Sequence, residues 1–403
     1  FELRPLPTPA ELAKPSGMLD LHDESGLAAI RACDLYAAFT QRTTECSEAQ
    51  KVADQHGAIL YQDGGEASER PEISRHALSA LFLAQLPPDC IKWEHKLRSA
   101  KMVETSNGSS SSSTTTAATT PGAHTETTLD FGPQNGTHTF DLVVGADGAW
   151  SKVRALLTPE TPHYAGIQNI TLTIRHISTA YPALAALVGS GSFTALAHHQ
   201  GIMSQRGPQD SARIYIFVRT PDERFAHSTG LAGMTPAAAK PLLLDDADAA
   251  LLHAWGPALK DLVAAACAEE TADNPGAPLD IRPMYSLPAV GHTWASQRGA
   301  TLVGDAAHLM GPWAGEGVNL ALWDALLLAE AIGKAYRGSG GEQGATGAAF
   351  QEALAPLMGA FEVGMAARAR EKAEESVANG EMLFGEDAAT AFVNFFLSAI
   401  ATG

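Results

Sequence analysis

TLVGDAAHLMGPWAGEGVNLALWDA, residues 301–325, is the stretch on which the reading of this chain turns. Thr301, Leu302 and Val303 form an apolar run of strand length. Gly304 lets the backbone turn sharply, and Asp305 then stands at the strand's carboxyl end, where open α/β sheets hold ligands. Past Pro312, the run Gly315-Glu316-Gly317-Val318-Asn319 strips side chains from a backbone about to become a helix. Its free N–H groups and positive dipole end can face a flat, electron-rich group. A glycine-rich strand-to-helix turn without a ligand is the plainer reading of this segment alone.

Residues 141–154, DLVVGADGAWSKVR, repeat the logic elsewhere. A strand over 142–144 ends in Gly-Ala-Asp-Gly, Asp147 sits at the strand end, and Ser151 is placed to cap a helix containing Arg154. A lone Asp-Gly is commonly a turn; two such signatures in one chain carry more weight.

Together, Gly-Asp, a Pro-containing loop, Gly-x-Gly-x-Asn at a helix start and G-A-D-G-x-x-S-x-V-R resemble FAD-dependent monooxygenases of the aromatic-hydroxylase type. Within that group they look closest to the tetracycline-inactivating enzymes. The resemblance implies an α/β fold: a Rossmann-like FAD-binding domain, an antiparallel-sheet substrate domain and C-terminal helices. It implies that Asp305 binds a ribityl hydroxyl, that Pro312, Gly315, Gly317, Val318 and Asn319 line the flavin, and that Asp147 organises the pyrophosphate region and nicotinamide access. Arg75, at the head of a helix expected over 76–86 with Ser74 as N-cap, matches the arginine that reaches the FAD pyrophosphate. SGMLDLHDESGL (16–27) resembles the segment that passes near the flavin ring, which makes His22 a neighbour of the isoalloxazine.

The first residues, Phe1-Glu2-Leu3-Arg4, read as the tail of a strand. In dinucleotide-binding folds the second strand ends in an acid that bonds the adenosine ribose, roughly 20 residues after a G-x-G-x-x-G turn. Glu2, with Arg4 beside it, is the candidate, and the first strand, turn and helix are then expected upstream; a frayed terminus is the competing reading. The expected domains are 1–160 for the first part of the FAD domain, 161–290 for the substrate domain, 291–345 for the second part and 346–403 for C-terminal helices. A Ser/Thr-rich tract over 105–128 is expected as an enlarged hairpin loop between strands at 91–103 and 137–144.

Strand-like runs at 167–177, 192–197 and 214–218 suggest the antiparallel sheet. Within it, His199-Gln200-Gly201 and Arg219-Thr220-Pro221-Asp222-Glu223 resemble segments that the tetracycline-inactivating enzymes turn toward substrate. Gln200 and Arg219 are therefore substrate candidates, with Trp313 as a wall of the pocket. Closing helices are expected over 348–377 and 382–400.

The chain has 403 residues with 27 basic and 45 acidic side chains, a net charge of −18 that opposes nucleic acid and anionic membranes. No apolar run reaches the roughly 18 to 20 residues of a membrane helix. Cys33, Cys46, Cys90 and Cys267 show neither metal-ligand spacing nor a disulfide framework. A cytoplasmic monomer or weak homodimer is expected, without metal.

The resemblance implies that transient NADPH reduces FAD, that molecular oxygen adds at the flavin C4a, and that the hydroperoxide hydroxylates an aromatic or polyketide-like small molecule. No side chain is expected to be catalytic itself; the protein positions, excludes water and stabilises charge. A flavin halogenase shares the cradle, but its W-x-W-x-I-P run is absent. A non-catalytic remnant that binds a hydrophobic small molecule and retains FAD poorly is the alternative.

Overall fold

The computed structural model describes residues 1–43, 47, 49–65, 71–87, 89–105, 124–245, 251–288, 294–341 and 346–402. In chain order the strands are β1 (Met18–Asp20), β2 (Gln50–Ala53), β3 (Ile59–Gln62), β4 (Glu72–Ser74), β5 (Ser99–Thr105), β6 (His124–Asp130) and β7 (Thr137–Phe140). They continue with β8 (Val143–Gly145), β9 (His163–Ile174), β10 (Ser192–Ala197), β11 (Gln200–Gly207), β12 (Ser211–Arg219), β13 (Asp280–Ser286) and β14 (Ala300–Leu302).

The cofactor-side unit is built on β8 and β14, a parallel pair in register Ala300↔Val143, Thr301↔Val144 and Leu302↔Gly145. Both strands are too short and too buried to stand alone. Helix Gly317–Gly338 and the 37-residue helix Gly347–Leu383 cover them and share an apolar core that includes Leu302, Val153, Leu328 and Met365. β5, β6 and β7 form an antiparallel meander beside this core. The hairpin expected around the Ser/Thr tract is present, but its return strand is His124–Asp130. Residues 106–123 lie outside the described residues. The expected strand over 137–144 divides between β7 and β8, which belong to different sheets. Only the end of the 91–103 run is strand: Glu94 takes a φ of 57°, and the backbone at Lys92 and His95 pairs with Glu2 instead.

The second unit is a seven-stranded, largely antiparallel sheet in the order β13-β9-β12-β11-β10-β2-β3. Its inner residues, among them Ile170, Ile202, Ile214 and Ile216, pack under helix Pro257–Asp273. β2 and β3 come from the segment assigned by sequence to the FAD domain, and β2 pairs parallel to β10 from Ser192↔Gln50 to Ala195↔Ala53. The alternation expected of a four-residue strand is too short to announce this partner.

The first closing helix runs past residue 377 to Leu383 because its Asn379-Gly380 step, a plausible stop, is used for packing. Gly380 leaves room for the Trp313 ring, whose Cδ1 would lie 2.9 Å from an added Cβ. Helix Ala388–Thr402 follows and lies on the sheet edge, Phe396 stacking on Tyr61 at 5.2 Å.

Candidate active site

The two aspartate turns leave the same edge of the β8–β14 pair, since the strands are parallel and the Val303 N–H continues the ladder to the Gly145 carbonyl at 3.0 Å. Gly145 is required by packing: an added Cβ would sit 2.6 Å from Leu302 and 2.7 Å from Val153. Asp147 turns inward on its own loop. Its carboxylate accepts from the Ser151 hydroxyl and, at 2.7 Å, from the Lys152 N–H, while Ser151 Oγ accepts from the Arg154 N–H at 2.9 Å. The helix expected after Ser151 is a single 3₁₀ turn, Arg154–Leu156, whose N-cap position is Val153; Ser151 instead ties the loop ahead of it to the Arg154 N–H.

Buried Arg154 donates to the Ala306 carbonyl at 3.0 Å and to the Ala149 carbonyl, so one guanidinium bridges both turns. Burial holds this guanidinium below its ordinary pKa, against the pull of Asp147.

Asp305 behaves differently. Gly304, with φ of 58°, turns the chain, and Asp305 opens the short helix Asp305–His308, in which Ala306, Ala307 and His308 are buried. Asp305 alone is exposed, with no hydrogen bond or ion pair to another described residue. Behind it, buried Asp324 accepts from His308 Nε2 at 2.6 Å and from the Gly304 N–H at 3.3 Å, and Arg368 approaches at 3.5 Å. His308 and Asp324 fix the turn, and sequence reading passed over them; the only signal was a polar pair inside otherwise apolar helices.

Pro312 starts a 3₁₀ turn that ends at Gly315, left-handed at φ 70°, before helix Gly317–Gly338. Glu316 occupies the N-cap position without capping. The N–H groups of Gly317, Val318 and Asn319 consequently meet no acceptor among the described residues, and a Cβ on Gly317 would meet open space. Three unpaired donors, a helix dipole and a free carboxylate at Asp305 suit a flat ring with an electron-rich edge and a polyhydroxyl tail, which is the shape and polarity of FAD.

The Glu316 carboxylate faces away from that edge, toward His22 Nδ1 at 3.4 Å and Lys372 Nζ at 2.9 Å. His22 is buried, with Nε2 at 3.1 Å from Asp20. Hydrogen bonding to Asp20, then to Glu316, pushes its pKa up to about 9 against the cost of burial. Burial would raise the Glu316 carboxyl, but bonds from His22 and Lys372 outweigh it and hold it below the usual range. Asn319 is fully buried; its Oδ1 accepts from the His22 N–H at 2.9 Å and its Nδ2 donates to the Asp20 carbonyl at 3.0 Å.

Trp313, two residues before Gly315, stands against Phe217 at 4.9 Å and Phe384 at 5.0 Å, both edge-on. These rings belong to an apolar cluster with Leu196, Met203, Tyr215 and Met284 on the outer face of the large sheet. Along β12 this face presents Arg213, Tyr215, Phe217 and Arg219. Arg219 reaches Glu381 of the long helix at 2.8 and 2.9 Å, so its charge is already partnered. Arg75 heads helix Arg75–Leu83, capped by Ser74 as expected, and its Nε lies 3.7 Å from the Cβ position of Gly17, which the Tyr215 hydroxyl approaches at 2.9 Å.

Gln200 does not join this group. It follows a two-residue turn, His198-His199, with φ of 54° and 58°, and faces the helix-covered side of the sheet with Ile202. Its amide is taken by the Trp255 indole N–H at 2.8 Å and the Leu251 carbonyl at 3.2 Å. Gly201, its neighbour, faces Phe384. Glu2 and Arg4 pair with each other at 3.1 Å beside the Lys92–His95 backbone, and no contact among the described residues joins them to the two aspartate turns.

Fold and site together define an FAD-binding α/β protein carrying an antiparallel sheet over the cofactor cradle. Residues 258–347 match the FAD binding domain family. Over 97% of its length the chain is 32% identical to monooxygenase asqM of Emericella nidulans, covering 90% of that protein. It is 33% identical to monooxygenase penA of Penicillium thymicola over 82% of this chain and 78% of that one. The chain belongs to the FAD-dependent monooxygenases of the aromatic-hydroxylase type and is an oxidoreductase.

Solved structures share the fold at lower identity. CtdE in complex with FAD and a substrate has a TM-score of 0.67 at 13% identity, covering 96% of this chain and 84% of that one. A salicylate hydroxylase substrate complex gives 0.62 at 15%, with 93% and 84% covered. Tetracycline destructase Tet(51) gives 0.57 at 15%, with 94% and 84% covered. The likeness to the tetracycline-inactivating enzymes therefore stands at the level of fold. Among the described residues, no helix is long and apolar enough to cross a membrane, and no group of three or more acidic, His or Cys side chains is placed to hold a metal ion.

Proposed function

We propose that this chain hydroxylates an aromatic or polyketide-like small molecule, consuming NAD(P)H and molecular oxygen. The balance is one substrate C–H, O₂, NAD(P)H and a proton giving the hydroxylated product, water and NAD(P)⁺. FAD, which Asp305 and the Gly317–Asn319 N–H groups would hold, would supply the redox chemistry between nicotinamide, oxygen and substrate. The observation that carries this reading is the adjacency of the unpaired Gly317–Asn319 N–H edge to the aromatic wall of Trp313, Phe217 and Phe384. One face is suited to a flavin, the other to a flat apolar substrate.

In this reading the free Asp305 carboxylate accepts from a ribityl hydroxyl, and the Gly317–Asn319 donors, with the helix dipole, stabilise negative charge on the reduced ring. Arg75, beside Gly17, completes the cofactor contacts. Trp313, Phe217 and Phe384 exclude water from the reacting centre and set the substrate's plane. Arg219 is paired with Glu381, whereas Arg213, on the same face of β12, bonds the Thr173 hydroxyl at 2.9 Å and meets no carboxylate among the described residues, so the wall keeps one cation open to an acidic or phenolic substrate group.

The test is to purify the chain with FAD, follow NAD(P)H oxidation against a panel of phenols and enols, and assay product for ¹⁸O from ¹⁸O₂. Label in the product is expected. A protein that takes up no flavin, or ¹⁸O only from water, overturns the reading.

A further inference from the structure

We propose that His22 is the positioning residue of the cofactor's electron-rich edge: clamped between Asp20 and Glu316, it keeps the Gly315–Gly317 turn clear and offsets negative charge there, so that reduced flavin is held more tightly. The proposal rests on the assignment of the Gly317–Asn319 N–H groups to FAD.

The geometry leaves His22 little freedom. Its side chain is 4% exposed, and both ring nitrogens meet carboxylates, Asp20 at 3.1 Å and Glu316 at 3.4 Å. Its N–H is held by Asn319 Oδ1, and its carbonyl accepts from the Leu27 N–H at 2.9 Å. Nε2 hydrogen-bonds Asp20 and Nδ1 has the Glu316 carboxylate 3.4 Å away, so a carboxylate stands before each ring nitrogen and the imidazolium, with an N–H on both, is the form this setting favours. The high pKa agrees with this.

Charged groups reach this ring from three elements. Asp20 comes from the end of β1, Glu316 from the turn, and Lys372 from the long helix, with Glu375 bonded to Lys372 at 3.1 Å. Without a charge on His22, three carboxylates face one ammonium. With it, three face two. A reduced flavin adds negative charge nearby, so the imidazolium favours the reduced over the oxidised ring.

Glu316 sharpens the point. A carboxylate one residue ahead of an open helix N-terminus is drawn onto those N–H groups. Here His22 and Lys372 hold it off. Loss of His22 leaves Lys372 as the sole restraint, and Glu316 then competes with the cofactor for the donors that bind it.

The experiment compares wild type with His22→Gln, which keeps one donor and loses the charge. Flavin midpoint potentials are measured by dye-coupled reduction from pH 6 to 10. The expected result is FAD retained in the variant, with the ratio of reduced to oxidised FAD affinity at pH 7 down at least tenfold, ~30 mV for a two-electron couple. The wild-type potential bends near pH 9 and the variant's does not. An unshifted potential with the same pH slope overturns the proposal. Should His22→Gln fail to fold, wild-type holoenzyme with ¹⁵N-labelled histidine decides: an imidazolium signature at pH 8 supports it, and titration at or below the ordinary 6.5 ends it. A chain that never takes up FAD overturns the reading of the cofactor site and His22's flavin role together, whereas FAD uptake with an unshifted potential overturns His22 alone.

Discussion

Arg154 and Ala306, 152 residues apart in sequence, are joined by a 3.0 Å hydrogen bond from a buried guanidinium to a backbone carbonyl. The same side chain donates to Ala149 and, at 3.3 Å, to Glu160. The two aspartate turns are thus one mechanical unit, and removing the arginine leaves carbonyls without donors in a place that water reaches poorly.

Arg154→Met is therefore expected to cost roughly 2–4 kcal/mol of folding stability, since bonds from a charged donor contribute more than neutral ones. Urea denaturation, with flavin absorbance and circular dichroism followed together, checks this. A midpoint within error of wild type would remove Arg154 from its bridging role.

Asp305→Asn is expected to leave stability within about 0.5 kcal/mol, because the side chain is exposed and partnerless among the described residues. FAD affinity is expected to fall about 10- to 100-fold, the worth of one bond to a charged acceptor. Flavin content after gel filtration reads this directly, and full retention would reassign the residue.

Trp313→Ala and Gln200→Ala should separate the two faces of the large sheet. Loss of Trp313 is expected to raise the substrate KM with flavin content unchanged. Loss of Gln200 strands the buried Trp255 indole N–H, so about 1–3 kcal/mol of stability goes with substrate KM unmoved. A KM change in Gln200→Ala with stability intact would return that residue to the substrate site.

His22 also sets a pH dependence of folding. Its folded pKa of about 9 lies above the ordinary 6.5, so its stabilising contribution is fully present below pH 6.5 and is lost as pH rises through 9. Wild-type Tm is expected to fall between pH 7 and 10, and the His22→Gln profile to be flatter across that window. Parallel profiles would show that the fold does not sense this proton.

The turns at 145–148 and 304–305 and the helix start at 317 were legible because each needs glycine or aspartate for a local backbone reason. The face that Gln200 takes was not legible because a strand residue's face depends on register, and a two-residue turn of left-handed histidines sets that register without a local signature. The pairing of β2 in the large sheet was not legible because its partner, β10, lies some 140 residues downstream, beyond any local pattern. His22 was marked by its segment's resemblance, but the charges gathered on its ring were not. Asp20, Glu316 and Lys372 are ordinary charges until the chain folds, and nothing in their spacing announces a shared ring.

The 37-residue helix Gly347–Leu383 is read by the site at many heights: Gln351 holds Thr125, Glu362 holds Thr301, Lys372 holds Glu316, Ser376 holds Gly311, and Asn379 holds Trp313. Each contact depends on angular phase, and one inserted or deleted residue rotates everything beyond it by about 100°. Descendants of this gene can lengthen or trim their surface loops freely, but an indel inside this rod would scramble both the cradle and the aromatic wall in a single event. Its length is therefore the dimension of the protein least open to drift.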